Sequence, residues 1–349
     1  MKTQWYPTSE AGQKAKAIKE GGRILQAGGL VAFPTETVYG LGGHTFLPEA
    51  LQKIYQVKGR PPDNPLIVHL ASTEALFQVA ADIPEEAWRL GEKFWPGPLT
   101  LVLQKRREVP DQVSCGLDTV AVRVPAHPLA RELIEEVQAP LSAPSANLSG
   151  SPSPTRAEHV WEDLAGKIEG IIDGGDASIG VESTVLDLHQ DPPVLLRPGG
   201  ITREQLEEFR GKKIEVSGDA RVPVSPGMKY RHYAPGAALY LFVGERQEME
   251  SWMKEALEEW RRGGAVVGVL CSEEHPLAKA QAQDPYALVE ILGSRQEPYH
   301  LAASLYASLR SLDERGAEVI LAEGFPEKGI LFTLMNRLKK AAREVVSSS

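Results

Sequence analysis

The chain has 349 residues, 42% hydrophobic and 24% charged, with a formal net charge of −9. That length exceeds one ordinary core and predicts two domains, and the acidic balance argues against a surface coated with nucleic acid while leaving room for a local cationic pocket. The first residues lack the apolar core of a signal peptide and no later run is long enough to cross a bilayer. Cys115 and Cys271 lie too far apart in sequence for a disulfide or metal framework, so a soluble cytoplasmic protein is expected.

Along residues 1–210, Leu30–Phe33, Leu66–Leu70, Leu99–Gln104, Val120–Val124, Ile168–Ile172, Thr184–Leu188 and Val194–Leu196 are predicted strands. Pro48 opens a helix whose Leu51, Ile54, Tyr55 and Lys58 follow helical spacing. Pro84-Glu85-Glu86 opens another, which Trp95-Pro96-Gly97 ends. Thr155 with Glu158, and Thr202 with Gln205, have capping-box spacing. Several strands follow one another with no helix between, so this region is expected to be one α/β domain with a mixed sheet.

Residues 211–236, GKKIEVSGDARVPVSPGMKYRHYAPG, carry Pro, Gly and basic residues without helical periodicity and are expected to be a linker. Over 237–349 the pattern becomes regular. Strands at Ala238–Val243, Ala265–Cys271 and Glu318–Ala322 alternate with helices at Arg246–Arg262, His300–Arg315 and Leu331–Arg343. That alternation predicts a parallel, Rossmann-like C-terminal domain. No G-x-G-x-x-G follows its first strand, so nucleotide binding there has no support.

Candidate chemistry concentrates in the first domain. PTETVYGLGG (Pro34–Gly43) follows a predicted strand, and KGRPPDNPLIVHL (Lys58–Leu70) follows a predicted helix. Lys58 and Arg60 flank Gly59, where that helix should stop. Cations there can merely favour the negative end of the helix, but that does not explain the polar Arg60–Pro65 run beside them. Arg supplies a bidentate fork for phosphate and Lys a point charge. Gly40, Gly42 and Gly43 suggest close approach of backbone to a ligand.

Other signals are weaker singly. Arg123 points away from Val120, Val122 and Val124, either into a site or as an exposed edge charge. SAPSANLSG (Ser142–Gly150) is dense in hydroxyls and amides; Ser145, Asn147 and Ser149 there are either donors to an anion or a plain turn. Glu182-Ser183-Thr184 opens a strand, and Arg197-Pro198-Gly199-Gly200 leads into a helix N-terminus, itself an anion site. His69, taken alone, reads as a core histidine. Trp161, Trp252 and Trp260 read as packing residues. No P-loop, H-E-x-x-H or G-x-S-x-G signature is present.

Together PTETVYGLGG, KGRPPDNPL, SAPSANLSG, ESTV (Glu182–Val185), LRPGG (Leu196–Gly200) and SPGMKYRHYAP (Ser225–Pro235) resemble the YrdC-like threonylcarbamoyl-AMP synthase family in its long, two-domain form. The resemblance implies a nucleotidyltransferase that joins L-threonine, bicarbonate or CO₂, and ATP into threonylcarbamoyl-AMP and pyrophosphate. Mg²⁺ would arrive with ATP, with no protein metal ligand. The product would feed a separate tRNA threonylcarbamoyl-transfer machinery, so neither membrane association nor tight nucleic-acid binding is implied.

Carried over residue by residue, the resemblance places threonine at Thr37, His69, Arg123, Ala143 and Ser183. It places ATP at Arg60, Asn64, Thr119, Ser145, Ser153, Arg197 and Tyr233. Bicarbonate and pyrophosphate fall to Lys58, Arg60, Ser145 and Asn147, with Lys58 and Arg60 as the catalytic cations. Residues 211–236 would then be a lid over the site. Three other classes remain open on sequence: an RNA-binding module, a carbamoyl-phosphate enzyme, whose zinc-finger and acylphosphatase segments this chain lacks, and a regulatory binder of small amino acids.

Overall fold

Helix α1 (Ala11–Gln26) buries Ala17, Ile18, Ile24 and Leu25 against α5 (Pro128–Val137), which returns Leu133, Ile134 and Val137. Each large side chain buried this way contributes roughly 1.5–3 kcal/mol. The structure, a computed structural model, describes residues 2–217, 232–279 and 287–347. Its residues fall into two units, Met1–Ser149, Ser153–Ser178 and Glu182–Tyr230 in one, and Gly150–Pro152, Ile179–Val181 and Arg231–Ser349 in the other. The expected linker and lid at 211–236, with its Ser225–Pro235 motif, lies outside the described residues over 218–231.

The first unit is built on a mixed sheet, as expected. Its strands among the described residues are β1 (Gln4–Pro7), β2 (Val31–Phe33), β3 (Gly40–His44), β4 (Ile67–His69), β5 (Leu99–Gln104), β6 (Thr119–Arg123), β7 (Leu141–Ser142), β8 (Gly170–Asp173), β9 (Thr184–Asp187), β10 (Val194–Arg197) and β11 (Glu215–Val216). They lie in the order β1-β8-β2-β3-β7-β4-β6-β5-β9-β10-β11. The central pair β4 and β6 is parallel, with Ile67 opposite Ala121 and His69 opposite Arg123. Strand β5 runs antiparallel to β6 and parallel to β9.

Local chemistry sets the helix ends. Pro48 is the first residue of α2 (Pro48–Lys58), and Gly59 closes it in the left-handed region at φ 61°. Thr202 and Gln205 form the full capping box of α7 (Arg203–Arg210). Three sequence expectations shift. Pro84 caps α3 (Glu85–Phe94) from outside, since its fixed φ suits the extended cap residue equally well. The Thr155–Glu158 pair is no capping box: α6 (Ala157–Leu164) starts after Arg156, and the Thr155 amide donates to His159 Nδ1 instead. Trp161 is 43% exposed and meets Trp5 edge-on. A four-residue helix, α4 (Asp111–Ser114), precedes β6.

In the second unit, β12 (Ala238–Phe242), β13 (Val267–Cys271), β14 (Ala287–Ile291), β15 (Val319–Glu323) and β16 (Glu344–Val346) alternate with α8 (Arg246–Arg262), α9 (Pro298–Glu314) and α10 (Ile330–Ala341). All pairings are parallel, in the order β14-β13-β15-β12-β16, which is the Rossmann-like pattern expected. Met249, Met253 and Leu257 of α8 pack on Val267, Val269 and Leu321.

Candidate active site

One face of the first unit's sheet carries Ile67, Val102, Ala121, Val185 and Leu196 as a buried apolar cluster. Alternation along β4 and β6 puts His69 and Arg123 on that same face, at the ends of their strands. Thr119 starts β6, so about 13 Å of strand separates it from Arg123. The site residues accordingly gather at two ends of these strands.

At the Arg123 end, the guanidinium is 3% exposed. Its Nε donates to the Gly97 carbonyl at 3.2 Å and its Nη1 to Thr37 Oγ1 at 2.9 Å. Nη2 lies 2.6 Å from Glu36 Oε1. Arg123 is therefore no edge charge; it sits buried in a central strand, hydrogen-bonded to Gly97 and Thr37 and in charge contact with Glu36. Thr37 is held in turn by Thr35, whose hydroxyl lies 2.8 Å from its own. His69 is buried, edge-on to Phe33, with Nδ1 3.2 Å from the Ile67 carbonyl. Burial, and then the nearby Arg123 charge, push the His69 imidazole down to about 3, so it is neutral at ordinary pH.

Gly97 and Pro98 connect this group to the next. The Thr184 amide donates to the Pro98 carbonyl. Just before it, Ser183 Oγ sits 2.7 Å from Thr100 Oγ1 and accepts from Arg197 Nη2 at 3.1 Å. Arg197 also donates twice to the Ser183 carbonyl. Ser153 donates to Glu182 Oε1 at 2.6 Å. A Cβ on Gly199 would stand 2.2 Å from the Thr184 nitrogen, so only glycine lets the Arg197–Gly200 turn close on Ser183.

At the other end, Lys58 is 2% exposed and its ammonium donates to the carbonyls of Ser145 and Asn147 at 2.6 and 2.5 Å. Burial holds this ammonium well below the ordinary lysine range, and the neighbouring Arg60 charge adds to the effect. Arg60 donates from Nε to the Asn64 carbonyl, and from Nη2 to Asn64 Oδ1 and the Pro65 carbonyl. Tyr55 braces the same loop through the Asn64 carbonyl. Thr119 is the first residue of β6, two places before the Ala121 that pairs with Ile67. Ser145 bridges to Gly40, and the Ala143 amide donates to the Ile67 carbonyl.

The structure thus brings Thr37, His69 and Arg123 together, joins Ser183, Arg197 and Ser153 through Gly97–Pro98, and groups Lys58, Arg60, Asn64, Ser145 and Asn147, while Thr119 stands at the start of β6 opposite Gln104. Tyr233 lies in the second unit, stacked on Tyr306 at 5.5 Å with the Arg337 guanidinium 5.1 Å over its ring. The glycines of Gly40–Gly43 are not explained by a ligand. A Cβ on Gly42 would lie 2.8 Å from Phe33 Cε1 and one on Gly43 3.0 Å from Ile54 Cδ1, so they make room for the protein's own core. Glu36, Thr100 and Gly97 carry no motif signal that assigns them a role; only the position of Glu36 between Thr35 and Thr37, and of Gly97 and Thr100 around the start of β5, hints at one. Among the described residues no His, Cys, Asp and Glu side chains group as a metal site, and no helix is long and apolar enough to cross a membrane.

Comparison with known proteins identifies the family. A family model of the Sua5, YciO and YrdC proteins, described as "Telomere recombination", matches residues 23–199. A second, described as "Threonylcarbamoyl-AMP synthase, C-terminal domain", matches residues 201–343. The chain is 48% identical to a threonylcarbamoyl-AMP synthase of Pyrococcus abyssi, covering 93% of this chain and 94% of that protein. It is also 48% identical to one of Bacillus subtilis, covering 98% of each. The crystal structure of P. abyssi Sua5 complexed with L-threonine superposes with a TM-score of 0.92 at 46% identity, over 99% of this chain and all of that one. The two matched models and the near-complete coverage agree: the chain belongs to the threonylcarbamoyl-AMP synthase family.

Proposed function

We propose that this protein is an L-threonylcarbamoyladenylate synthase, a nucleotidyltransferase. It would convert L-threonine, bicarbonate or CO₂, and ATP into threonylcarbamoyl-AMP and pyrophosphate for the modification of tRNA next to the anticodon. The observation that carries this reading is the pair of clusters at the two ends of β4 and β6 across one apolar floor. A matched arginine with hydroxyls and a neutral histidine suits an amino acid. A buried lysine beside an anchored arginine suits a polyphosphate. The P. abyssi relative was solved in complex with L-threonine, which supports threonine as a substrate here.

In this reading Thr37, His69, Arg123, Ala143 and Ser183 hold threonine. Arg60, Asn64, Thr119, Ser145, Ser153 and Arg197 hold ATP over the floor of Ile67, Ala121 and Val185, and Tyr233 is assigned to ATP by the family resemblance alone. The threonine amine attacks CO₂ to give a carbamate and a proton, or attacks bicarbonate with loss of water. A carbamate oxygen then bonds to the α-phosphorus of ATP and pyrophosphate leaves. Lys58 and Arg60, with Ser145 and Asn147, neutralise charge on bicarbonate and the departing phosphates, so that positioning and electrostatics supply the rate. Mg²⁺ is read as part of the ATP substrate. Transfer to tRNA belongs to a separate protein, in keeping with the net charge of −9. The free thiols Cys115 and Cys271 fit a reducing cytoplasm.

Product analysis tests the reading. Threonylcarbamoyl-AMP should form from threonine, bicarbonate and Mg-ATP and vanish when any one is left out. Formation of no such product, or unchanged synthesis by Arg60→Ala, would overturn it.

A further inference from the structure

Glu36 stands between the two threonines of Pro34–Gly43, and the reaction described above gives it no task. It is 7% exposed, and its two oxygens do different things. Oε2 accepts from the Ala126 amide at 2.9 Å, which ties the loop to the turn after β6. Oε1 faces Arg123 Nη2 across 2.6 Å. Beyond that charge contact neither Oε1 nor Nη2 has a hydrogen-bond partner, although both atoms are buried.

A loop-to-turn tie alone does not call for a carboxylate, because a buried charge is costly unless it is matched. Here it is matched by Arg123, and the match has a chemical consequence. His69 is neutral at ordinary pH, so the guanidinium and the carboxylate set the charge of this end of the site, and they cancel. Arg123 by itself would attract any carboxylate.

We propose that Glu36 is a positioning residue that aims Arg123 and cancels its charge, making the pocket selective for a zwitterionic α-amino acid over a carboxylate without an ammonium group. The inference rests on the threonine assignment above. A zwitterion adds no net charge, and its carboxylate and ammonium suit the guanidinium and carboxylate of the Arg123–Glu36 pair. A plain carboxylate brings a like charge toward Oε1 with nothing to offset it.

The test is calorimetric binding of L-threonine and of 3-hydroxybutyrate, the same skeleton with hydrogen in place of the amino group. Wild-type protein should prefer threonine by at least about a hundredfold, as expected of a site whose polar groups the analogue leaves unpaired. Glu36→Gln should cut that ratio at least about tenfold, by weakening threonine and strengthening 3-hydroxybutyrate together. Glu36→Asp keeps the charge and should keep the ratio, even where both affinities fall. Equal weakening of both ligands in Glu36→Gln would reduce Glu36 to a loop support and overturn the proposal. So would wild-type protein that binds the two ligands alike, a result that needs no variant to fold. Wild-type protein that binds no threonine would instead overturn the functional reading beneath it.

Discussion

Lys58 Nζ lies 2.5 Å from the Asn147 carbonyl oxygen and 3.4 Å from its Oδ1, so one ammonium group ties the end of α2 to two atoms of a single residue in the Ser142–Gly150 loop. The Ser145 carbonyl takes a third contact. Two segments 87 residues apart are thereby locked at the point where phosphates are proposed to bind.

Replacing Lys58 by Met keeps the apolar stem as far as the ε position, removes the ammonium and strands those carbonyls. The expected cost is about 2–4 kcal/mol of stability, with loss of turnover. Urea unfolding and the product assay check both.

Arg60 uses a planar fork on Asn64 Oδ1 and the carbonyls of Asn64 and Pro65. A lysine cannot reproduce that fork, so Arg60→Lys should behave like Arg60→Ala, raising the KM for ATP by about tenfold or more. Asn64→Ala should raise it less, because two carbonyl contacts remain. Steady-state rates with ATP varied and threonine saturating decide.

His69 gives acid sensitivity of defined sign. Its folded-state value lies near 3, below the ordinary 6.5, so between those limits the unfolded chain binds the extra proton. His69 therefore lowers stability as pH falls from 6.5 toward 3 and has no such effect above 6.5. Wild-type protein should lose a few kcal/mol more between pH 7 and pH 4 than His69→Gln does. Denaturant titrations at the two pH values measure the difference.

Two glycines should respond differently to alanine. Gly59 caps α2 at φ 61° with open space where a Cβ would go, so Gly59→Ala carries only the left-handed strain of about 1–2 kcal/mol. At Gly199 the new methyl would meet the backbone of Ser183 and Thr184 at 2.2–2.3 Å. Backbone cannot step aside as a side chain can. Gly199→Ala should therefore cost more than Gly59→Ala in thermal unfolding and should also disturb the Arg197–Ser183 contacts, lowering activity well beyond the Gly59 variant.

Sequence reading found the strands that bury apolar runs, such as Leu99–Gln104, and helices with a strong stop or cap, such as α2 and α7, because those signals are local. It missed β3 and β7. Glycines carry no strand pattern, and a two-residue strand has no period to read. The packing role of Gly42 was illegible for a related reason: Phe33 is close to it only once β2 and β3 pair. Edge strands β1 and β16 likewise exist by virtue of the sheets they join.

The motif residues themselves, from Thr37 to Arg197, were legible along the chain, since hydroxyls, amides and cations cluster there without serving a core. Their grouping was not. Whether Arg123 was an edge charge or a buried one depended on β6 lying between β4 and β5, a pairing between segments about 20 to 50 residues apart along the chain. The neutrality of His69, the depressed ammonium of Lys58 and the balancing of Arg123 by Glu36 all arise from burial and from charges brought close by folding. Composition carries the chemistry of a side chain, but desolvation and through-space charge belong to the folded chain alone.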